Sequence, residues 1–206
     1  MIIAIDGPAA AGKGTLARRI AEHYGLAYLD TGALYRAVGL ALLLAGRDPE
    51  DAQAAEAAAR ELDLSLLEHP DLRGVEAGAA ASQVAAVPAV RAALLEFQRG
   101  FAARPQGAVL DGRDIGTVVL PRADVKLYVT ASPEVRARRR WLELGGEASD
   151  TPFEEVLRAV KERDARDAAR RTAPMRPAED AHLLDTSELD IEAAFRAARE
   201  IIEARR

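Results

Sequence analysis

Nine residues near the start of the chain, Gly7-Pro8-Ala9-Ala10-Ala11-Gly12-Lys13-Gly14-Thr15, have the types and spacing to hold a polyphosphate. Glycines let the backbone curl so that successive N–H groups point inward, and a helix opening directly afterwards adds partial positive charge. Lys13 supplies a compact, mobile cation for the outer phosphates, where the planar fork of arginine fits less well. Lysine occurs only three times in the chain, and one of the three stands here. The apolar run Ile2–Ile5 supplies the strand that must precede such a loop. The bland alternative is a glycine-rich turn with a solvated lysine. Gly14 departs from the common pattern, in which Ser or Thr follows the lysine and ligates Mg²⁺. An ion here would be held mainly by phosphate oxygens and water.

Three further constellations could bind an acceptor. In Leu29-Asp30-Thr31-Gly32-Ala33-Leu34-Tyr35-Arg36 a strand turns into a helix whose first turns carry Tyr35 and Arg36. Arg36 can clamp a phosphate bidentately and Tyr35 can pack on a sugar or base. A capped helix start, with Thr31 or Asp30 as the cap, explains the same residues. In Ala108-Val109-Leu110-Asp111-Gly112-Arg113-Asp114 an apolar run ends in Asp111, a carboxylate suited to Mg²⁺ or its waters. Arg113 and Asp114 follow at the carboxyl end of the strand, where α/β sheets bind ligands. An Asp-Gly turn is the alternative there. Arg163, Asp167 and Arg170 recur at i, i+4 and i+7, on one helical face able to close over phosphates and a ribose. An exposed helix laced with ion pairs has the same charge pattern, and Arg136, Arg139 and Arg140 pose the same question one helix earlier.

The elements that must position these residues are β strands alternating with helices. Five apolar segments read as buried parallel strands: Ile2–Ile5, Ala27–Leu29, Ala108–Leu110, Val125–Val129 and His182–Leu184. Helical patterns cover Thr15–Tyr24, Leu34–Ala45, Asp51–Leu62, Val87–Ala103, Pro133–Leu144, Pro152–Arg171 and Ile191–Arg205. Pro133 and Pro152 are expected at the first helical position, after capping Ser132 and Thr151. Asp63–Val84 has no clear period and reads as an insertion beside the sheet. The whole is an α/β fold of one domain, a size that buries most of its apolar surface. Apolar residues make up 49% and charged residues 30% of the 206 residues, both ordinary values. A net charge of −5 argues against broad nucleic-acid binding. The absence of cysteine excludes disulfides and thiolate metal sites. Met1 runs into an apolar stretch too short for a signal sequence, and no run reaches membrane-spanning length. A cytoplasmic protein, free of nucleic acid and membrane and monomeric, is expected.

In combination these motifs resemble the bacterial cytidylate kinases, a family of P-loop nucleoside monophosphate kinases. The resemblance rests on Gly7–Thr15, Leu29–Arg36, Ala81-Ser82-Gln83-Val84-Ala85-Ala86-Val87-Pro88, Asp111-Gly112-Arg113-Asp114-Ile115-Gly116-Thr117-Val118-Val119 and Lys161–Arg170, in that order along the chain. It implies a three-layer P-loop kinase fold with a five-stranded parallel sheet, a small acceptor-binding insertion and a helical lid. The core would comprise 1–30, 104–135 and 172–206, the acceptor-binding region 31–103 with a flap at 63–80, and the lid 136–171. The flap looks shorter than in longer family members. ATP with Mg²⁺ is the implied donor, bound by Gly7–Thr15, with Asp111 reaching the ion through water. CMP or dCMP is the implied acceptor, bound by Thr31, Tyr35, Arg36, Ser82, Arg91, Arg113, Asp114, Arg163, Asp167 and Arg170. Among these, Ser82, Arg91 and Asp114 look like cytosine readers and Arg36 and Arg113 like phosphate clamps. Lys13, Arg113, Arg163 and Arg170 look like the catalytic set.

The chemistry asks little of the protein. A phosphate monoester has its second pKa near about 6, so the acceptor is already the anionic nucleophile at neutral pH. No general base is required, and none of the three histidines lies in a motif. Alignment and charge neutralisation must supply the rate. A kinase for UMP, AMP or an unphosphorylated acceptor is the nearest alternative, though the arginines weigh against a neutral acceptor. A GTP-dependent switch needs an Asn-Lys-x-Asp base reader, and the chain contains no Asn. Its one switch-like match, Asp71-Leu72-Arg73-Gly74, falls in the flap.

Overall fold

The computed structural model describes residues 1–148 and 150–205. Residue 149 of the expected lid and residue 206 at the end of the expected core lie outside them. Two compact units emerge, one formed by 1–28 with 104–206 and the other by 29–103.

The first unit is built on strands β1 (Ile2–Asp6), β3 (Ala108–Gly112), β4 (Val125–Thr130) and β5 (His182–Asp185). With β2 (Ala27–Asp30) they form a five-stranded sheet of order β2-β3-β1-β4-β5. β1 runs parallel to both β3 and β4, with Ile5 opposite Asp111 and Leu127, and β4 runs parallel to β5. Residues buried on both faces account for the unbroken apolar runs, with Ile3, Ala4 and Ile5 all at 0% exposure. Helices α1 (Lys13–Tyr24) and α8 (Ile191–Glu203) pack on this sheet through Leu16, Ile20, Ala198 and Ile202. Helices α6 (Pro133–Glu143) and α7 (Phe153–Ala168) pair through Ala137, Val156 and Val160.

Every strand runs one or two residues past its apolar segment, into Asp6, Asp30, Asp111 with Gly112, Thr130 or Asp185. The hydrogen-bond ladder continues where the apolar run stops, so polar side chains are fixed on the carboxyl ends of the strands. Helix ends also differ from expectation. Pro133 does open α6, with Ser132 Oγ accepting the Val135 N–H, but Pro152 precedes α7 as its cap instead of opening it. α7 stops at Ala168, not Arg171, because the chain turns back and the Met175 N–H donates to the Asp167 carbonyl at 2.9 Å.

The second unit is helical, with α2 (Thr31–Leu44), α3 (Ala52–Arg60), α4 (Val75–Val84) and α5 (Pro88–Ala102). Asp30 caps α2 by accepting the Ala33 N–H, so that helix begins at Thr31, three residues before Leu34. α4 corrects the reading of Asp63–Val84 as aperiodic. It is made largely of small residues that pack closely on α2: a Cβ on Gly39 would lie 2.8 Å from the Ala80 Cβ. Two short 3₁₀ turns, Leu64–Glu68 and Pro70–Arg73, precede it.

Candidate active site

The phosphate loop leaves β1 through Gly7, whose backbone approaches Val129 so closely that a Cβ would fall 1.9 Å from its carbonyl oxygen. Gly12 caps α1 with φ 86°, and Ala10 holds a φ of 58° in the left-handed region that a side chain disfavours. A non-glycine residue kept there is backbone strain stored at a functional loop. Lys13 is 5% exposed, and its Nζ donates to the Pro8 carbonyl at 2.7 Å, which folds the ammonium back over the loop. Gly14 lies beside Tyr28, whose hydroxyl would be 3.5 Å from an added Cβ. That hydroxyl donates to Asp111 Oδ1 at 3.0 Å, so a phenol tied to a carboxylate faces the position where other phosphate loops carry a serine or threonine.

A cleft of about 570 Å³ opens beside the loop, with mostly apolar walls that include Ala10, Gly12, Thr15, Arg139, Thr186 and Ile191. Arg139 is held in its wall by Thr186, donating to the hydroxyl at 3.1 Å and to the carbonyl at 2.7 Å. The Thr186 hydroxyl in turn donates to the Ala11 carbonyl at 3.1 Å, which ties the wall to the loop. The size and lining suit the base and sugar of a nucleotide whose phosphates occupy the loop. Sequence alone pointed to Arg139 only in passing and to Thr186 and Ile191 not at all.

In the same unit, Arg113 and Arg170 both bind Asp167, which is 1% exposed. Arg113 Nε donates to its Oδ2 at 3.1 Å, and Arg170 donates to Oδ1. Burial alone would push the Asp167 carboxyl up, but Arg113, Arg170 and Arg163 outweigh it and hold the carboxyl below its usual range. Three guanidiniums around one carboxylate leave surplus positive charge, an arrangement suited to an anion. Arg170 reaches this cluster from beyond the end of α7, not from the helical face that its spacing suggests. Arg136 lies outside the cluster: it is 3% exposed and bound to both oxygens of Asp164 at 3.0 and 2.6 Å, as well as to the Ala9 carbonyl at 3.3 Å.

Asp114 is 5% exposed and opens a π-turn, Ile115–Val119, in which Val118 and Val119 N–H donate to its carbonyl. The most conspicuous residue that the motifs did not indicate is Asp6, 3% exposed at the end of β1. Burial pushes its carboxyl up to about 6, against the hydrogen bonds from Gly116 and Ile115; Asp114 adds to the rise and Lys13 opposes it. Because this acid sits above its unfolded value of 3.8, keeping it ionised above pH 6 costs the fold on the order of 3 kcal/mol, and the penalty fades as pH falls towards 4.

The helical unit holds the remaining expected residues. Thr31 and Tyr35 are buried on α2, and the Arg91 guanidinium lies 5.7 Å from the centre of the Tyr35 ring. Arg36 donates to the Leu72 and Gly74 carbonyls at 3.3 and 3.4 Å, over Gly78, where a Cβ would come within 3.1 Å of its Nη1. Ser82 Oγ is buried with no hydrogen-bond partner among the described residues. Such a hydroxyl needs an outside partner.

The chain as a whole is similar to known proteins. The family model described as cytidylate kinase matches residues 3–204. A cytidylate kinase from a Caulobacter species is 59% identical over 205 residues, covering 100% of this chain and 95% of its own. One from a Methylobacterium species is 64% identical over 205 residues, covering 100% and 98%. Among solved structures, shikimate kinase from Bacteroides thetaiotaomicron superposes with a TM-score of 0.52 over 98% of each chain at 15% identity, a likeness of fold alone.

Proposed function

The chain belongs to the cytidylate kinase family, and we propose that it transfers the γ-phosphoryl group of ATP to CMP or dCMP, giving ADP with CDP or dCDP. The observation that carries this reading is the cluster of half-buried arginines around the buried Asp167, in the same unit as the phosphate loop. A loop for the donor phosphates and a separate cationic cluster are what a reaction between two phosphorylated molecules needs.

The donor adenosine takes the cleft beside Arg139, and its phosphates take the loop with Lys13. An oxygen of the CMP phosphate attacks Pγ, the bond from Pγ to the bridging oxygen breaks, and ADP leaves with that electron pair. The acceptor phosphate is already ionised, so the protein removes no proton. Lys13, Arg113, Arg163 and Arg170 align the reactants and spread the charge that moves from acceptor to donor. α6 and α7 form the lid that excludes water. In the sheet unit Asp114 reads the cytosine; in the helical unit Ser82 and Arg91 do so, with Arg36 holding the acceptor phosphate and Thr31 and Tyr35 its surroundings. No group of three acidic or histidine side chains poised for a metal occurs among the described residues. Asp111 would hold Mg²⁺ through a water, with Tyr28 orienting that carboxylate, while the donor phosphates would carry the ion itself. When bound, the ion neutralises charge on the donor phosphates.

A coupled assay of ADP release with CMP, dCMP, UMP, AMP and no acceptor tests the proposal. CMP and dCMP are expected to give the fastest release. Equal rates across the panel, or release independent of any acceptor, would replace this reading with another.

A further inference from the structure

Asp6 stands one residue before the phosphate loop, yet its side chain is committed to another segment. Oδ1 accepts the Ile115 N–H and Oδ2 the Gly116 N–H, each at 2.7 Å, across 109 and 110 residues of sequence. Those two N–H groups immediately follow Asp114, whose carbonyl is already held by Val118 and Val119 at 2.9 and 3.2 Å. A third support comes from Lys126. A Cβ on Gly116 would lie 3.1 Å from Lys126 Cδ and 3.3 Å from Asp6 Oδ2, so the turn fills the gap between these two side chains. Lys126 is itself anchored, its Nζ donating to the Pro121 carbonyl at 2.7 Å and to Asp180 at 2.8 Å. The backbone after Asp114 is therefore fixed from two sides by buried polar groups.

We infer that Asp6 is a positioning residue for acceptor recognition: its carboxylate sets the Ile115-Gly116 turn and so the direction in which Arg113 and Asp114 are presented. The inference rests on the reading of Arg113 and Asp114 as acceptor-binding residues. Two converging N–H donors need two acceptor oxygens at the spacing of a carboxylate. An asparagine offers one oxygen and sets its own N–H₂ against the second donor. The phosphate loop does not depend on this contact for its entry geometry, because Gly7 is seated against the Val129 carbonyl by its own backbone. A fault in the Asp6 carboxylate should therefore fall chiefly on the acceptor, the donor feeling only the change of charge near Lys13. A merely structural carboxylate would weaken both sites together, through general loss of the fold.

The test is a steady-state comparison of wild type, Asp6→Asn, Gly116→Ala and Asp114→Asn, with KM measured separately for CMP and ATP. Asp6→Asn is expected to raise KM for CMP about tenfold or more while KM for ATP stays within roughly threefold. Hydrogen exchange should show the Ile115 and Gly116 amides losing protection in the same variant. An unchanged KM for CMP, or a parallel rise in both constants, overturns the inference. Should Asp6→Asn fail to fold, Gly116→Ala carries the test: it keeps the carboxylate but crowds it, with a Cβ 3.3 Å from Asp6 Oδ2, and the same split between the two constants is expected. Gly116→Ala with wild-type KM for CMP overturns it equally. Asp114→Asn separates the two readings. If that variant loses CMP binding while Asp6→Asn keeps it, only the role of Asp6 falls; if wild type and Asp114→Asn handle CMP alike, the acceptor reading falls and takes this inference with it.

Discussion

The sheet unit and the helical unit prepare their functional side chains in opposite ways. In the sheet unit the charged groups are already bound to one another: Arg113 and Arg170 to Asp167, Arg136 to Asp164, and Lys13 to a carbonyl of its own loop. In the helical unit Arg36 donates to two carbonyls at 3.3 and 3.4 Å, and Ser82 keeps a buried hydroxyl without a hydrogen-bond partner among the described residues, as Thr117 Oγ1 and His182 Nε2 do in the sheet unit. The first arrangement pays reorganisation in advance, as electrostatic stabilisation of a transferring phosphoryl group requires. In the second, a ligand can supply the bond that the Ser82 hydroxyl lacks among the described residues. Chemistry that is the same for every acceptor can be built in beforehand, whereas recognition of one base, in which Asp114 of the sheet unit is also proposed to take part, gains selectivity from groups that only that base satisfies.

Mutations can break this contrast. The largest effect is expected for Lys13→Ala, a loss of about 10²–10³ in kcat with an unchanged circular dichroism spectrum, since the lysine acts on charge that moves during transfer. Unchanged turnover would remove the phosphate-loop assignment. Asp114→Asn should next collapse the preference for CMP over UMP, which in wild type is expected at roughly ten- to several-hundredfold in kcat/KM. A carboxylate accepts from the cytosine N4 amino group but meets the O4 of uracil lone pair to lone pair, and a rotated amide removes that distinction. An untouched ratio would move base reading to other residues. Arg170→Ala should lower kcat by about ten- to a hundredfold, while Arg113 and Arg163 remain to hold Asp167 and the fold. Retained activity with only a small shift in melting would make the cluster a structural ion pair. Ser82→Ala should have the smallest effect, raising KM for CMP by up to about tenfold while melting stays within about 1 kcal/mol of wild type. A large loss of stability would show that this hydroxyl is satisfied without a ligand and would close the gap between the two units.

The sequence was most informative where chemistry and local context coincide. The phosphate loop was legible because strand, glycines, lysine and helix follow one another within fourteen residues, Ile2 to Thr15. The spacing of Arg163, Asp167 and Arg170 announced a shared cluster, but not that α7 ends at Ala168 and that Arg170 returns to Asp167 from beyond it. The apolar pattern ends the strands short of Asp6 and Asp111, because polarity carries no sign of the ladder that parallel neighbours such as Gly112 and Tyr128 continue. α4 is hidden in the sequence for a different reason. Alanine and glycine serve equally on buried and exposed faces, so Ala77, Gly78, Ala80 and Ala81 give no period, and only the close approach of Gly39 reveals which face is packed. The contacts of Asp6 with Ile115 and Gly116 span over a hundred residues and carry no local signature at all.

The central claim is phosphoryl transfer between two nucleotides, and following the products by ³¹P NMR tests it most directly. With ATP, Mg²⁺ and CMP, the account predicts that CDP and ADP appear one for one, with no inorganic phosphate beyond the uncatalysed background. ADP accompanied by inorganic phosphate and no CDP would contradict it, and would make the chain a hydrolase in which the arginine cluster serves some other anion.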